Sequence, residues 1–432
     1  MTAIPYQNKA HQRIPGGGHT YSKGDDQFPA NAPAQIARGQ GCRVWDPAGR
    51  EYLDWGMGLR SVILGHCHPA VLRAVKKQLA FGSNFTRPAP IEMALAERLI
   101  QLIPAAAMVK FAKNGSDVTT AAIRLARAFT GRELIAYCSD HPFFSVDDWF
   151  IGTTPCNSGI PNQISELSKG FRYNHLEDLA GLFQTYPGQI AAVIMEPVTN
   201  QPPAEKFLAN VAELTRKNGA ILIFDEIITG FRWDLRGAQH FFGVTPDLAT
   251  FGKALGNGFA VSALVGRADV MELGGLLHDR ERVFLLSTTH GGETHSLAAA
   301  LATLAELERH DVVTHIGSIG QRLMTGFRQI TSAHGIEDYL QIEGYPCSPV
   351  IVCKDRSGNP STAMRTLFLQ EMVKQRILIP YIAISYSHRE QDLEQTLAAV
   401  AQSAVVYRNA LDEGVARYLT GPEVKPVFRK YN

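Results

Sequence analysis

Two uninterrupted apolar runs, residues 191–195 (AAVIM) and 220–224 (AILIF), flank a stretch at 208–217 whose apolar positions recur with helical spacing. Strands that read as continuous hydrophobics are buried on both faces, and such strands joined by helices make a parallel sheet covered on both sides. The chain is therefore α/β, with a mostly parallel central sheet. A strand-like run at 108–112 followed by helical spacing at 119–129 extends the pattern. Ligands bind such sheets beyond the carboxyl ends of the strands. Attention falls on the residues there: Asn114-Gly115-Ser116, Glu196-Pro197 and Asp225-Glu226.

The first forty residues, rich in Gly, Pro and Asn, read as an irregular arm. Residues 40–52 read as a hairpin turning on Asp46-Pro47-Ala48-Gly49. Helical spacing covers 69–80, opened by Pro69, and 93–103, stopped by Pro104. From about Val312 the pattern changes to two long helices around a few short strands, a smaller α+β domain. We expect an arm and hairpin over 1–55 belonging to that small domain, a large domain over 56–310, and the rest of the small domain over 311–432. With 45% of 432 residues hydrophobic, the chain has enough apolar mass for two packed units.

Charge is nearly balanced, 42 basic against 41 acidic residues, without a basic stripe interleaved with aromatics, so nucleic acid is not an expected partner. Residues 1–13 are polar and lack the apolar core of a secretory signal. No apolar run approaches the ~20 residues that cross a bilayer, so no membrane is expected. Six scattered cysteines form no CxxC pair, which points away from a zinc site or a disulfide framework and toward reduced thiols in the cytoplasm.

Three features carry chemistry. Asn114-Gly115-Ser116 precedes a good helix, and a helix N-terminus offers N–H groups to an anion; an ordinary capped turn has the same appearance. Asp225 follows the run AILIF directly. A carboxylate there serves equally to keep a heteroaromatic nitrogen protonated, to bind a metal or to cap a helix. Lys253 sits among Phe251, Ala254 and Leu255. Burial would depress its pKa and suit it to forming an imine, although glycine-flanked lysines are commonly solvated. The order anion loop, carboxylate, lysine is more telling than any one of the three.

These residues lie in blocks that resemble the class III (fold type I) aminotransferases dependent on pyridoxal 5′-phosphate, and within them the glutamate-1-semialdehyde 2,1-aminomutases. The blocks are IPGG (14–17), ILGHCHPA (63–70), AIRLARAFTGR (122–132), DEIITGFR (225–232) and GVTPDLATFGKALGNG (243–258). The motifs GMGLRSVILGH (56–66) and KPVFRKYN (425–432) resemble a semialdehyde-aminotransferase-like subgroup. The resemblance implies an imine on Lys253, Asp225 as partner of the pyridinium nitrogen, and Ile227 against one ring face. It also implies a phosphate loop of Gly115 and Ser116 beside Asn114, and Thr289 reaching the phosphate across the interface of a homodimer.

The substrate side departs from that family. Where a Tyr-His-Gly turn supplies the stacking tyrosine, this chain reads Ser139-Asp140-His141-Pro142-Phe143-Phe144, so Phe143 or Phe144 is expected to stack. The aminomutase's carboxylate-binding arginine falls on Lys23, its pocket tryptophan and glycine on Leu59 and Arg60, and its Ser-Gly-Asn on Gly291-Gly292-Glu293. Arg60, with Lys23 as helper, is the candidate for gripping a substrate anion. The expected reaction is transfer of an amino group from a small amine to a carbonyl acceptor. The rivals are the aminomutase itself, a racemase or decarboxylase on the same scaffold, and a non-catalytic cofactor-binding protein.

Overall fold

The computed structural model describes residues 3–431, so the last residue of the 425–432 motif lies outside it. The chain divides into two compact units, one of residues 60–62 and 69–313, the other of residues 1–59, 63–68 and 314–432.

The first unit is built on a seven-stranded sheet. In chain order its strands are β1 (Met108–Ala112), β2 (Leu134–Cys138), β3 (Ser168–Phe171), β4 (Ile190–Met195), β5 (Ile221–Asp225), β6 (Leu248–Phe251) and β7 (Ser262–Gly266). Their spatial order is β1-β7-β6-β5-β4-β2-β3. All run parallel except β7, which lies antiparallel between β1 and β6. Every residue of β4, β5 and β6 is buried, as their continuous apolar sequences require. Helix α1 (Gly115–Thr130) lays Val118, Ala121, Ala122, Leu125 and Ala126 into the core. Helix α2 (Phe207–Lys217) carries Leu208 and Val211 into a cluster with Val193, Met195, Leu222 and Phe224. Burying each large apolar side chain of this kind contributes roughly 1.5–3 kcal/mol.

In the other unit, strands Arg43–Trp45 and Glu51–Asp54 form the expected hairpin. Its turn is fixed by the Asp46 carboxylate, which accepts the N–H groups of Ala48 (3.0 Å) and Arg50 (2.9 Å). A second hairpin pairs Leu340–Tyr345 with Ser348–Cys353. The two long helices expected are Val312–Ala333 and Glu390–Glu413, with the shorter Thr362–Lys374 between them in the chain. The arm also differs from expectation, since Ala3–His11 is helical. Pro5 lies in its first turn, where a missing N–H costs nothing, so a proline there does not preclude a helix. No helix among the described residues is long and apolar enough to cross a membrane.

Candidate active site

The carboxyl edge of the large sheet gathers the chemical groups. Asp225 ends β5 and is 4% exposed. Its Oδ1 accepts the N–H of Ile227 (3.0 Å) and the hydroxyl of Thr250 (3.1 Å), its register partner on β6. Glu226, next in the chain, is turned away. Its carboxylate accepts the backbone N–H (2.9 Å) and side-chain amide (3.0 Å) of Gln239 and the hydroxyl of Thr229 (3.0 Å), which makes it a brace for the following turn. Of the Asp-Glu pair, Asp225 alone can face a ligand.

Lys253 stands two residues beyond β6 with φ of +38°, in the left-handed region that a side chain enters at a cost. Burial pulls its ammonium pKa down, while the charges of Asp225 and Glu196 oppose that shift. Burial also raises the Asp225 pKa, against the Ile227 N–H and the Lys253 charge. Amine and carboxylate thus bear on each other in a dry setting.

Ile227 closes the space between them and the anion loop. A Cβ on Gly252 would lie 3.0 Å from its Cδ1, and one on Gly115 3.3 Å. Both glycines let backbone approach this one side chain. At the loop, Asp117 accepts the N–H of Asn114 (3.0 Å), and the Ser262 hydroxyl binds the Asn114 carbonyl (2.8 Å). The N–H groups of Gly115 and Ser116 open the 16-residue α1, where no intrahelical acceptor exists for them. The Ser116 hydroxyl accepts the N–H of Val146 (3.0 Å) and keeps its own proton to donate. Lys113 is held elsewhere, by Glu293 (2.7 Å) and the Ala260 carbonyl (3.2 Å).

The aromatic loop is resolved into distinct roles. Phe144 is buried edge-on against Phe150, and its carbonyl accepts the Thr119 hydroxyl (2.9 Å). Phe143 is 41% exposed. Asp140 accepts the N–H of Tyr173 (2.8 Å). His141, which sequence reasoning passed over, is buried, and its Nδ1 accepts the Glu196 N–H (2.9 Å). Burial holds its imidazole neutral, with a pKa pushed down to about 3. Its place in the stretch compared with the Tyr-His-Gly turn is the signal that could have found it.

Arg60 closes a run in which Met57, Gly58, Leu59 and Arg60 all have positive φ. Three non-glycine residues in that region mark stored strain of the kind found where a side chain must be aimed. Arg232 donates to the Arg60 carbonyl (3.4 Å), and the Arg60 charge acts on both Lys253 and Glu196. Lys23 belongs to the other unit, where it lines a cavity of about 540 Å³ with Asp25, Phe28, Leu59 and His66. Thr289 is exposed, its carbonyl held by the Asn84 amide (3.0 Å), and the described contacts within one chain do not join it to Ser116.

Gly230, in the DEIITGFR block, occupies a place where a side chain does not fit. A Cβ there would meet the Phe251 ring at 2.5 Å and the Glu226 carbonyl at 2.7 Å. Gly230→Ala should lower stability by about 1–3 kcal/mol, read as a fall in denaturant midpoint with an unchanged slope.

The fold is that of the fold type I transaminases. It superposes on the internal aldimine form of the FumI protein of Sphingopyxis sp. MTA144 with a TM-score of 0.86 at 24% identity, covering 95% of this chain and 98% of that one. It also matches an omega-transaminase from Sphaerobacter thermophilus, with a TM-score of 0.84 at 27% identity, covering 94% and 98%. The chain belongs to the class-III aminotransferases, whose family model matches residues 26–345. It is 33% identical over 417 residues to a glutamate-1-semialdehyde 2,1-aminomutase of Desulforamulus reducens, covering 90% of this chain and 94% of that protein. It is 32% identical over 413 residues to a 3-aminobutyryl-CoA aminotransferase of Cloacimonas acidaminovorans, covering 93% and 96%.

Proposed function

We propose that this chain is a pyridoxal-phosphate-dependent aminotransferase that moves an amino group from a small amine or amino acid to an aldehyde or ketone. The observation that carries the reading is that Lys253 and Asp225 stand within electrostatic reach of each other, with Gly252 beside the lysine and Gly115 of the helix N-terminus both against Ile227. These residues fit the cofactor. Its phosphate suits the open N–H groups of Gly115 and Ser116, its flat ring suits Ile227 packed against two glycines, and its ring nitrogen suits the enclosed Asp225. When bound, pyridoxal phosphate supplies an aldehyde that condenses with amines and a protonated ring that draws electrons from the adjoining carbon.

The chain's own groups do the rest. Lys253, as a free amine, would take the proton from the substrate Cα and return it to the cofactor carbon on the far side of the nitrogen. Desolvation shifts its amine toward the neutral, proton-accepting form, against the opposing charges of Asp225 and Glu196. Asp225, held by Ile227 and Thr250, keeps the ring nitrogen protonated. Asn114 shapes the loop that presents Gly115 and Ser116. Both Phe143 and Phe144 stand edge-on to Phe150, but Phe144 is fully buried, so the more exposed Phe143 is assigned to the ring face opposite Ile227. Arg60 is assigned to a substrate carboxylate or phosphate; for Lys23 that role rests on its sequence match alone.

Thr289 is assigned to the phosphate of a second copy, in a homodimer with shared sites. Phe81, Phe85, Met93, Leu276, Leu277 and Phe284 support that assembly, being large apolar side chains left exposed on the unit that carries Thr289. Reduced cysteines fit a cytoplasmic location. The reading is tested by adding candidate amines to cofactor-loaded protein. The visible band should give way to the near-ultraviolet band of the amine form, with one equivalent of carbonyl product released. With glutamate-1-semialdehyde alone, intramolecular exchange at a useful rate would instead identify an aminomutase.

A further inference from the structure

The buried carboxylate that the proposed reaction leaves unused is Glu196. Parallel register pairs Met195 with Phe224 and Asp225 with Thr250, so Glu196, next after Met195, stands beside Asp225 on the carboxyl edge. Both are enclosed, 3% and 4% exposed. The Glu196 backbone is pinned by His141, whose neutral ring adds no charge. The other groups bearing on it are Asp225 from β5, Lys253 after β6, Arg60 from the strained turn and the Cys138 thiol from β2. Arg232 adds its charge at Lys253.

Two enclosed carboxylates side by side do not both ionise cheaply, and hydrogen bonding to the anion decides which one does. The N–H of Ile227 and the hydroxyl of Thr250 both go to Asp225. Burial and the Asp225 charge push the Glu196 pKa up, and the Lys253 and Arg60 charges only partly oppose this.

We propose that Glu196 is held as a neutral, proton-carrying acid beside ionised Asp225, a positioning residue that fixes how much negative charge Lys253 experiences. A single carboxylate charge then serves both the ring nitrogen and the amine. The inference takes its catalytic meaning from the aminotransferase reading, but its physical content does not need the cofactor.

Two measurements test it. In cofactor-free protein at neutral pH, the infrared difference between wild type and Glu196→Gln should contain the carbonyl stretch of a protonated carboxylic acid. In loaded protein, Glu196→Gln should move the pH midpoint of the visible band by less than ~0.3 unit, because one neutral group replaces another. An ionised Glu196 predicts the opposite: no acid band in the difference, and a midpoint lowered by roughly one unit or more as support for positive charge on the lysine nitrogen is lost. Either result overturns the proposal. Glu196→Met gives the same two readings if the glutamine variant does not fold. Failure of the protein to develop a visible band with pyridoxal phosphate would count against Lys253, while the infrared result would still judge Glu196.

Discussion

Protein carrying Lys253→Ala is expected to bind pyridoxal phosphate without the visible band of the wild type and to lose turnover by at least about a thousandfold. The substitution removes the only amine that bears on Asp225 at the carboxyl edge among the described residues. A neighbouring arginine is no substitute, since Arg60 and Arg232 stay protonated and cannot take a proton from carbon. Folding should survive. Burial disfavours a charge on Lys253, so alanine relieves that penalty while the φ of +38° persists. The measurement is an absorbance spectrum after exhaustive dialysis, alongside a melting curve. A variant that melts like the wild type and retains the band would remove Lys253 from the chemistry; one that does not fold would be replaced by Lys253→Met.

How much of this was legible in the sequence depends on what each segment buries. β4, β5 and α2 could be read directly because all of their packing is internal to the sheet, and continuous apolar runs have few alternatives. The position of Asp225 follows from β5, whereas Lys253, beyond the short β6, is marked by its apolar neighbours and by the family blocks around it. β7 escaped notice because SALVG is short, follows a glycine-rich turn and enters the sheet against the direction of its neighbours. α1 begins at Gly115, four residues before the apolar spacing does, because its first turn consists of residues that stabilise the end of a helix instead of its core. The pairing of His141 with the Glu196 N–H joins two loops 55 residues apart, and no local pattern encodes such a contact. The family blocks single out Asp225 over Glu226, but the physical reason lies in the turn at 237–239, which folds back to occupy Glu226.

Asp225→Asn is the second large effect, and it separates charge from shape. Asparagine fills the same volume and can still accept from Ile227 and Thr250, so the pocket should persist. The anion is lost, the ring nitrogen is no longer held protonated, and turnover should fall by roughly a hundred- to ten-thousandfold with little change in substrate KM. The stability of the cofactor-free protein should move the other way. Burial raises the folded-state pKa of Asp225 above its unfolded value, so the folded protein holds that proton more tightly. Stability contributed by the protonated group is therefore present below the unfolded pKa and is lost as pH climbs through the folded one. Asparagine carries no such titration, and the variant should gain in melting temperature relative to wild type as pH is raised from acid to neutral. A wild-type protein that instead becomes more stable across that window, with the variant losing the gain, would mean that Asp225 is an anion stabilised by its surroundings even without a ring nitrogen to face.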